Sequence, residues 1–260
     1  MHRSRVIPCL LLSEDGLVKT VKFSNPRYIG DPINTVRILN EKEADELLFL
    51  DIGATTSGVA PKIDLVQEIV SEAFMPICYG GGVTTIAEMR QLFRAGVEKV
   101  SLSAAALSRP NLVREAAIEF GSQAVIVTLD VKLSRAGKYC VVIHNGQREL
   151  PDEPIGAALK MEELGAGELV ISSVDRDGTM VGYDVELVRT VSRRLQIPVI
   201  ALGGASGLED VRRVIREGGA AAAAAGSLFV YYGKHRAVLI NYPSQQELHE
   251  LFEETVSETV

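Results

Sequence analysis

Apolar positions follow two alternating patterns along the chain. Short runs rich in β-branched residues mark strands, and stretches with apolar residues at i, i+3 and i+4 mark amphipathic helices. The runs predict strands at Val6–Leu12, Glu46–Asp51, Pro76–Tyr79, Lys99–Ser103, Ala124–Asp130, Glu168–Ser173, Pro198–Leu202 and Ala220–Ala225. The stretches predict helices at Pro32–Glu43, Pro61–Ala73, Thr85–Ala95, Asn111–Glu119, Pro154–Leu164, Asp184–Arg194, Leu208–Glu217 and Ser244–Glu253. Eight βα units in 260 residues meet the requirement of a closed (β/α)8 barrel. A doubly wound open sheet with extra strands is the competitor, because periodicity does not show closure. The expectation is one barrel domain over residues 1–260.

Two segments break the rhythm. Ser13–Phe23, with Asp15-Gly16 before VKTVKF, and Arg135–Gln147, with YCVVI between glycines, both predict hairpin excursions, at matching places in the two halves. The match extends further: PICYGGGVTTIAEMRQLFRAG from Pro76 aligns without a gap on PVIALGGASGLEDVRRVIREG from Pro198. A half-barrel duplication explains this and predicts a pseudo-twofold pocket at the C-terminal ends of the strands.

Composition narrows the function classes. A net charge of -7 gives no overall positive field for nucleic acid or an anionic membrane, so any anionic ligand must be held locally. The apolar runs are too short for a membrane span and the N-terminus lacks a signal-peptide layout, so the expected location is the cytoplasm. Cys9, Cys78 and Cys140 are odd in number and far apart, and read as reduced structural residues. His2, His144, His235 and His249 are scattered, so neither a metal site nor a cofactor is expected.

The local anion sites are visible as glycine turns. Gly80-Gly81-Gly82 follows the third strand and Gly203-Gly204 the seventh, each leading into a helix whose N–H groups point at one place. Asp177-Gly178 after strand six and Gly226-Ser227 after strand eight add to the second-half site; Ser103 and Ala104 are the first-half counterparts of the latter pair. Glycines after strands also make ordinary tight turns, but two symmetry-related pairs point to a substrate with a phosphate at each end. Asp130 ends the fifth strand facing that pocket and is the strongest acid/base candidate. Its partner in the repeat is Leu11, which can neither give nor take a proton. Asp51 and Asp175 also read as turn or cap residues. Arg5, Glu46, Lys99 and Glu168 start strands one, two, four and six, placing alternating charges around the bottom mouth, where a salt-bridge cluster serving stability is the default.

RVIPCLLL, GDPI, ADELLFLDI, PICYGGGV, GAGELVISSVDRDGTMVGYD and PVIALGGA together resemble the cyclase subunit of imidazole glycerol phosphate synthase over residues 5–230. The resemblance implies a barrel that takes ammonia from a glutaminase subunit docked at its N-terminal face. It also implies a bis-phosphorylated ribonucleotide substrate, converted to imidazole glycerol phosphate and aminoimidazole carboxamide ribonucleotide in histidine biosynthesis. Arg5, Glu46, Lys99 and Glu168 match the family's ammonia gate, and Lys19 matches a loop lysine that handles substrate. Three features depart from the pattern. Leu11 stands where IPCLD has its aspartate, so impaired cyclisation is expected; Ser103-Ala104 replaces an Asn-Thr phosphate pair; and the ending FVYYGKHRAVLINYP, which begins at Phe229 and opens the divergent segment 230–260, is similar to a branch associated with amidation of bacterial surface-polysaccharide sugars. The function is thus expected to be that of a cyclase-type synthase subunit, or of an ammonia conduit and scaffold for acetamidino formation by another protein. A phosphosugar isomerase or aldolase suits the anion sites but leaves the ring of charges without a purpose.

Overall fold

The computed structural model describes residues 4–253. Eight parallel strands form the barrel: β1 (Arg5–Ser13), β2 (Leu47–Asp51), β3 (Ile77–Gly80), β4 (Lys99–Leu102), β5 (Val125–Leu133), β6 (Glu168–Ser173), β7 (Val199–Leu202) and β8 (Ala222–Ala225). Each pairs with its neighbour in chain order, and β8 returns to β1 with Arg5 opposite Ala222 and Pro8 opposite Ala225. The sheet therefore closes, which excludes the open alternative. Helices α1 (Pro32–Glu41), α2 (Ile63–Ser71), α3 (Ile86–Arg94), α4 (Asn111–Phe120), α5 (Pro154–Glu163), α6 (Val185–Ser192), α7 (Leu208–Arg216) and α8 (Gln245–Phe252) alternate with the strands. No helix among the described residues is long and apolar enough to cross a membrane.

Local chemistry sets the helix starts. Asp31 accepts a hydrogen bond from Asn34 N, and Pro32 occupies the first turn of α1, where a missing N–H costs nothing. Thr85 and Ser244 form reciprocal capping boxes with Glu88 and Glu247, satisfying the leading amides of α3 and α8. The apolar stripes of these helices, such as Met89 and Leu92 on α3, pack on the outward residues of the strands. Alternate strand residues turn inward and form a second cluster of Ile7, Leu48, Cys78, Ile126, Val170, Ile200 and Ala222. That belt fills the lower barrel with packed side chains. Cys9, Cys78 and Cys140 are free thiols.

The two expected hairpin excursions are present, with bounds wider than expected. In each, the barrel strand overshoots the rim and is itself the first arm. β1 pairs with Gly16–Val21 (Leu11 opposite Val18), which pairs with Ser24–Gly30; β5 pairs with Tyr139–Ile143 (Asp130 opposite Val142), which pairs with Arg148–Glu149. A strand that leaves the barrel exposes unpaired backbone N–H and C=O groups, and the returning chain satisfies them. For the same reason β5 runs three residues past the expected end at Asp130. The C-terminal segment contains a further unanticipated hairpin, Tyr231–Tyr232 with Ala237–Val238. Arg236 at its turn donates to Gly178 O at 3.3 Å and Thr179 O at 3.4 Å, tying this segment to the upper rim.

Candidate functional site

The four charges at the strand starts meet. Arg5 Nη1 donates to Glu46 Oε2 at 2.5 Å and Arg5 Nη2 to Glu168 Oε2 at 2.8 Å. Lys99 Nζ reaches Glu46 Oε1 and Glu168 Oε1, both at 3.0 Å. Cations and carboxylates alternate around a closed ring at the bottom of the barrel. Burial works to lower the Arg5 pKa, but the Glu168 and Glu46 carboxylates outweigh it and the net shift is upward. Above the ring lies the apolar belt, and above the belt the interior turns polar: Ser101 Oγ and Thr128 Oγ1 are 2.7 Å apart and buried.

The upper mouth is a cavity lined by residues from both halves, among them Leu11, Lys19, Gly81, Ser103, Ala104, Asp130, Asp177, Gly178, Gly203, Gly204, Gly226 and Ser227. Burial pushes the Asp130 carboxyl up to about 7; the Ser172 hydrogen bond opposes this, and Asp177 adds to it. A carboxyl near neutral can hold or release a proton at working pH. Across the pseudo-twofold, Leu11 is buried against Ile7, Cys9, Val18 and Leu48.

Three features gather at the second-half end of the cavity. Gly203 and Gly204 have φ of 101° and 104°, a region closed to most side chains, which bends the backbone into a turn at the end of β7. Lys19 is buried, and its Nζ fills the space a side chain at Gly226 would need. Ser227 is 6% exposed, and its Oγ is a buried polar atom without a hydrogen-bond partner. An orphaned hydroxyl beside a buried ammonium in a cavity suits an anion.

Some expected site residues take other positions. Gly82 lies outside the cavity lining, its Cα packed against Val59 O and Ala54, because the third-strand turn bends it behind Gly81. Asp177 lines the cavity, but its carboxylate accepts from Thr20 Oγ1 at 2.7 Å and Phe23 N at 3.3 Å, and its carbonyl accepts from Lys22 N at 2.9 Å. It latches the first excursion over the mouth. Asp51 Oδ1 accepts from Gly53 N and Ala54 N, both at 3.0 Å, as a turn residue does, and Asp175 Oδ2 accepts from Leu133 N at 2.7 Å.

His144, one of the scattered histidines, and its neighbour Asn145 line the cavity at the tip of the second excursion, with φ of 53° and 56°. Asn145 Nδ2 donates to Ile52 O at 3.0 Å, which seats this tip over the first half. Their signal is the hairpin register: Val142 opposite Asp130 carries the next residues toward the mouth. Thr20, Phe23 and Met180 also line it.

The chain is 48% identical to a Pseudomonas aeruginosa protein, hisF2, provisionally named as an imidazole glycerol phosphate synthase subunit, over 95% of this chain and 99% of that one. It is 46% identical to a HisF-named relative of Leptospira borgpetersenii, also provisional, over 97% and 100% of the two chains. Identity to the imidazole glycerol phosphate synthase subunit HisF of Alkaliphilus metalliredigens is 40%, over 89% and 92%. The model of the family described as "Histidine biosynthesis protein" matches residues 5–236. The closed barrel, its two related halves and these matches along nearly the whole length agree: the chain belongs to the histidine biosynthesis protein family, as a divergent relative of its HisF subunits.

Proposed function

We propose that this chain is the ammonia-using, cyclase-type subunit of a glutamine amidotransferase complex. A glutaminase subunit docks on the face bearing Arg5, Glu46, Lys99 and Glu168, and a phosphorylated, nucleotide-like ligand binds at the opposite mouth. The observation that carries this reading is the closed ionic ring at one end of the same barrel whose other end holds Asp130, Lys19 and the unpartnered Ser227. Ammonia would enter through the ring and meet the ligand above the apolar belt. Asp130, with its carboxyl near 7, would move the proton.

Buried Leu11 favours a second reading beside it. Conversion of the bis-phosphorylated ribonucleotide to imidazole glycerol phosphate and aminoimidazole carboxamide ribonucleotide needs proton transfer on both sides, and one carrier is missing. A missing acid or base costs about 10²–10⁴ in rate. A barrel of this kind still activates a glutaminase and shields ammonia, so it would serve as a conduit and scaffold for acetamidino formation on a surface-polysaccharide sugar. The test combines the purified chain, its glutaminase and the ribonucleotide. Stimulated glutamine turnover with little cyclisation, raised at least ~100-fold in Leu11→Asp, is the expected result. A chain that neither binds nor stimulates a glutaminase sinks both readings.

A further inference from the structure

We propose that the ligand of this barrel carries a single phosphate, held at the second-half end of the cavity, and presents an uncharged polar end to the first half. This rests on the reading above and narrows its ligand class.

The two half-barrels allow a comparison within one molecule. Gly226 caps the short helix Ser227–Val230 after β8, and Ser103 caps the short helix Ala104–Ser108 after β4. Ser227 and Ala104 are therefore counterparts, and the buried, unpartnered hydroxyl on one side faces a methyl group on the other. The excursions give the second comparison. Leu11 lies opposite Val18 and Asp130 opposite Val142, so the residue after each partner is Lys19 in the first half and Ile143 in the second. Lys19 places its ammonium against Gly226, forming no ion pair among the described residues, whereas Ile143 is 1% exposed and apolar. One end thus has a cation and a free buried hydroxyl, and the other has neither.

The first-half end also holds a carboxylate. Asp51 lines the cavity, Gly81 packs against its backbone, and its Oδ1 accepts from the amides of Gly53 and Ala54. A phosphate buried there would meet that negative charge with no lysine or arginine in the cavity lining on its side, whereas the end that holds Asp177 also has Lys19. Beside the Gly81 turn, the Ser103 and Thr55 hydroxyls with His144 and Asn145 suit hydrogen bonds to a neutral carboxamide, hydroxyl or heterocycle.

Two measurements test this. In crystals of the full chain soaked in inorganic phosphate, one phosphate is expected, touching Lys19 and Ser227; a second at Ser103 and Ala104, or none at Ser227, overturns the proposal. In calorimetric titrations, aminoimidazole carboxamide ribonucleotide, with one phosphate, and the bis-phosphorylated ribonucleotide should bind within tenfold of each other. Ser227→Ala should weaken both about tenfold or more, the usual size of a lost hydrogen bond to a charged group. A bis-phosphorylated ligand more than tenfold tighter overturns the proposal. Should neither ribonucleotide bind while the soak shows one phosphate at Ser227, the nucleotide-like ligand class proposed above fails and the single-phosphate assignment stands.

Discussion

Lys99→Met isolates the electrostatics of the floor. Lys99 Nζ makes three contacts of 3.0–3.1 Å with the Glu46 and Glu168 carboxylates. The side chains of Glu46 and Glu168 are only 4% and 13% exposed, and that of Lys99 only 17%. Methionine keeps the length and the apolar stem, so the change removes the charge and little else. Two buried carboxylates then share Arg5 alone. Breaking a buried pair in this way costs about 3–5 kcal/mol, because the remaining charge stays desolvated. With a urea slope near ~3 kcal/mol/M, the unfolding midpoint should fall by about 1–2 M. The double variant Lys99→Met/Glu46→Gln keeps the Arg5–Glu168 pair, 2.8 Å apart, and restores balance, so it should regain more than half of the loss. Urea titration at pH 7.5 followed by circular dichroism reads both variants. A single-variant loss below about 1 kcal/mol, or a double variant no more stable than the single one, would falsify the claim that the ring is a coupled, desolvated unit.

Other sites give similarly direct expectations. The folded-state pKa of Asp130 is raised from 3.8 to about 7, so the folded chain holds this proton more tightly than the unfolded one. The stability this lends is complete below pH ~4 and falls as pH rises toward 7. Asp130→Asn should therefore stabilise the chain more at pH 8 than at pH 4, by at most about 4 kcal/mol; equal gains at both pH values contradict a desolvated, proton-holding carboxyl. Asp177→Ala removes the acceptor of Thr20 Oγ1 and Phe23 N, and should speed proteolytic cleavage between residues 20 and 24 by about tenfold or more. Unchanged cleavage would mean that the excursion is held by its strand pairing alone.

The barrel was legible because its signals are local. β-Branched runs, capping residues such as Thr85 with Glu88, and glycine turns each act within a few residues, and their order along the chain fixes the topology. The two breaks in the rhythm, after the first and fifth strands, also placed the excursions at matching positions in the two halves, as the pairings of Leu11 and Asp130 show. What escaped depends on long-range geometry. Asp177 satisfies its carboxylate through Thr20, 157 residues away, so nothing near VDRDGT announces a latch. His144 reaches the cavity only because β5 overshoots and returns in that register. Gly82 looked equivalent to Gly81, yet it stands against Val59 O and Ala54, outside the cavity lining, whereas in the second half Gly203 and Gly204 both line it; the difference lies in what each turn packs against.

On the proposed function, the vertical order of the barrel would separate supply from chemistry. An ammonium ion entering the belt of Ile7, Leu48, Cys78, Ile126, Val170 and Ile200 would lose its hydration with nothing to replace it, whereas neutral ammonia pays only the smaller cost of a polar uncharged molecule. Above the belt, the Ser101 and Thr128 hydroxyls offer hydrogen bonds again, and Asp130 stands beyond them. In that proposal the passage of a neutral amine would depend on residues below Leu11, and Leu11 would bear on what happens after arrival. Stability alone explains the floor poorly, because packed apolar residues of similar volume commonly match or exceed a buried ion-pair cluster. In the proposed function, the four charged groups closed into a ring at the strand starts would act as a polar entrance, which keeps its value whether the amine closes an imidazole at the upper mouth or continues to another acceptor.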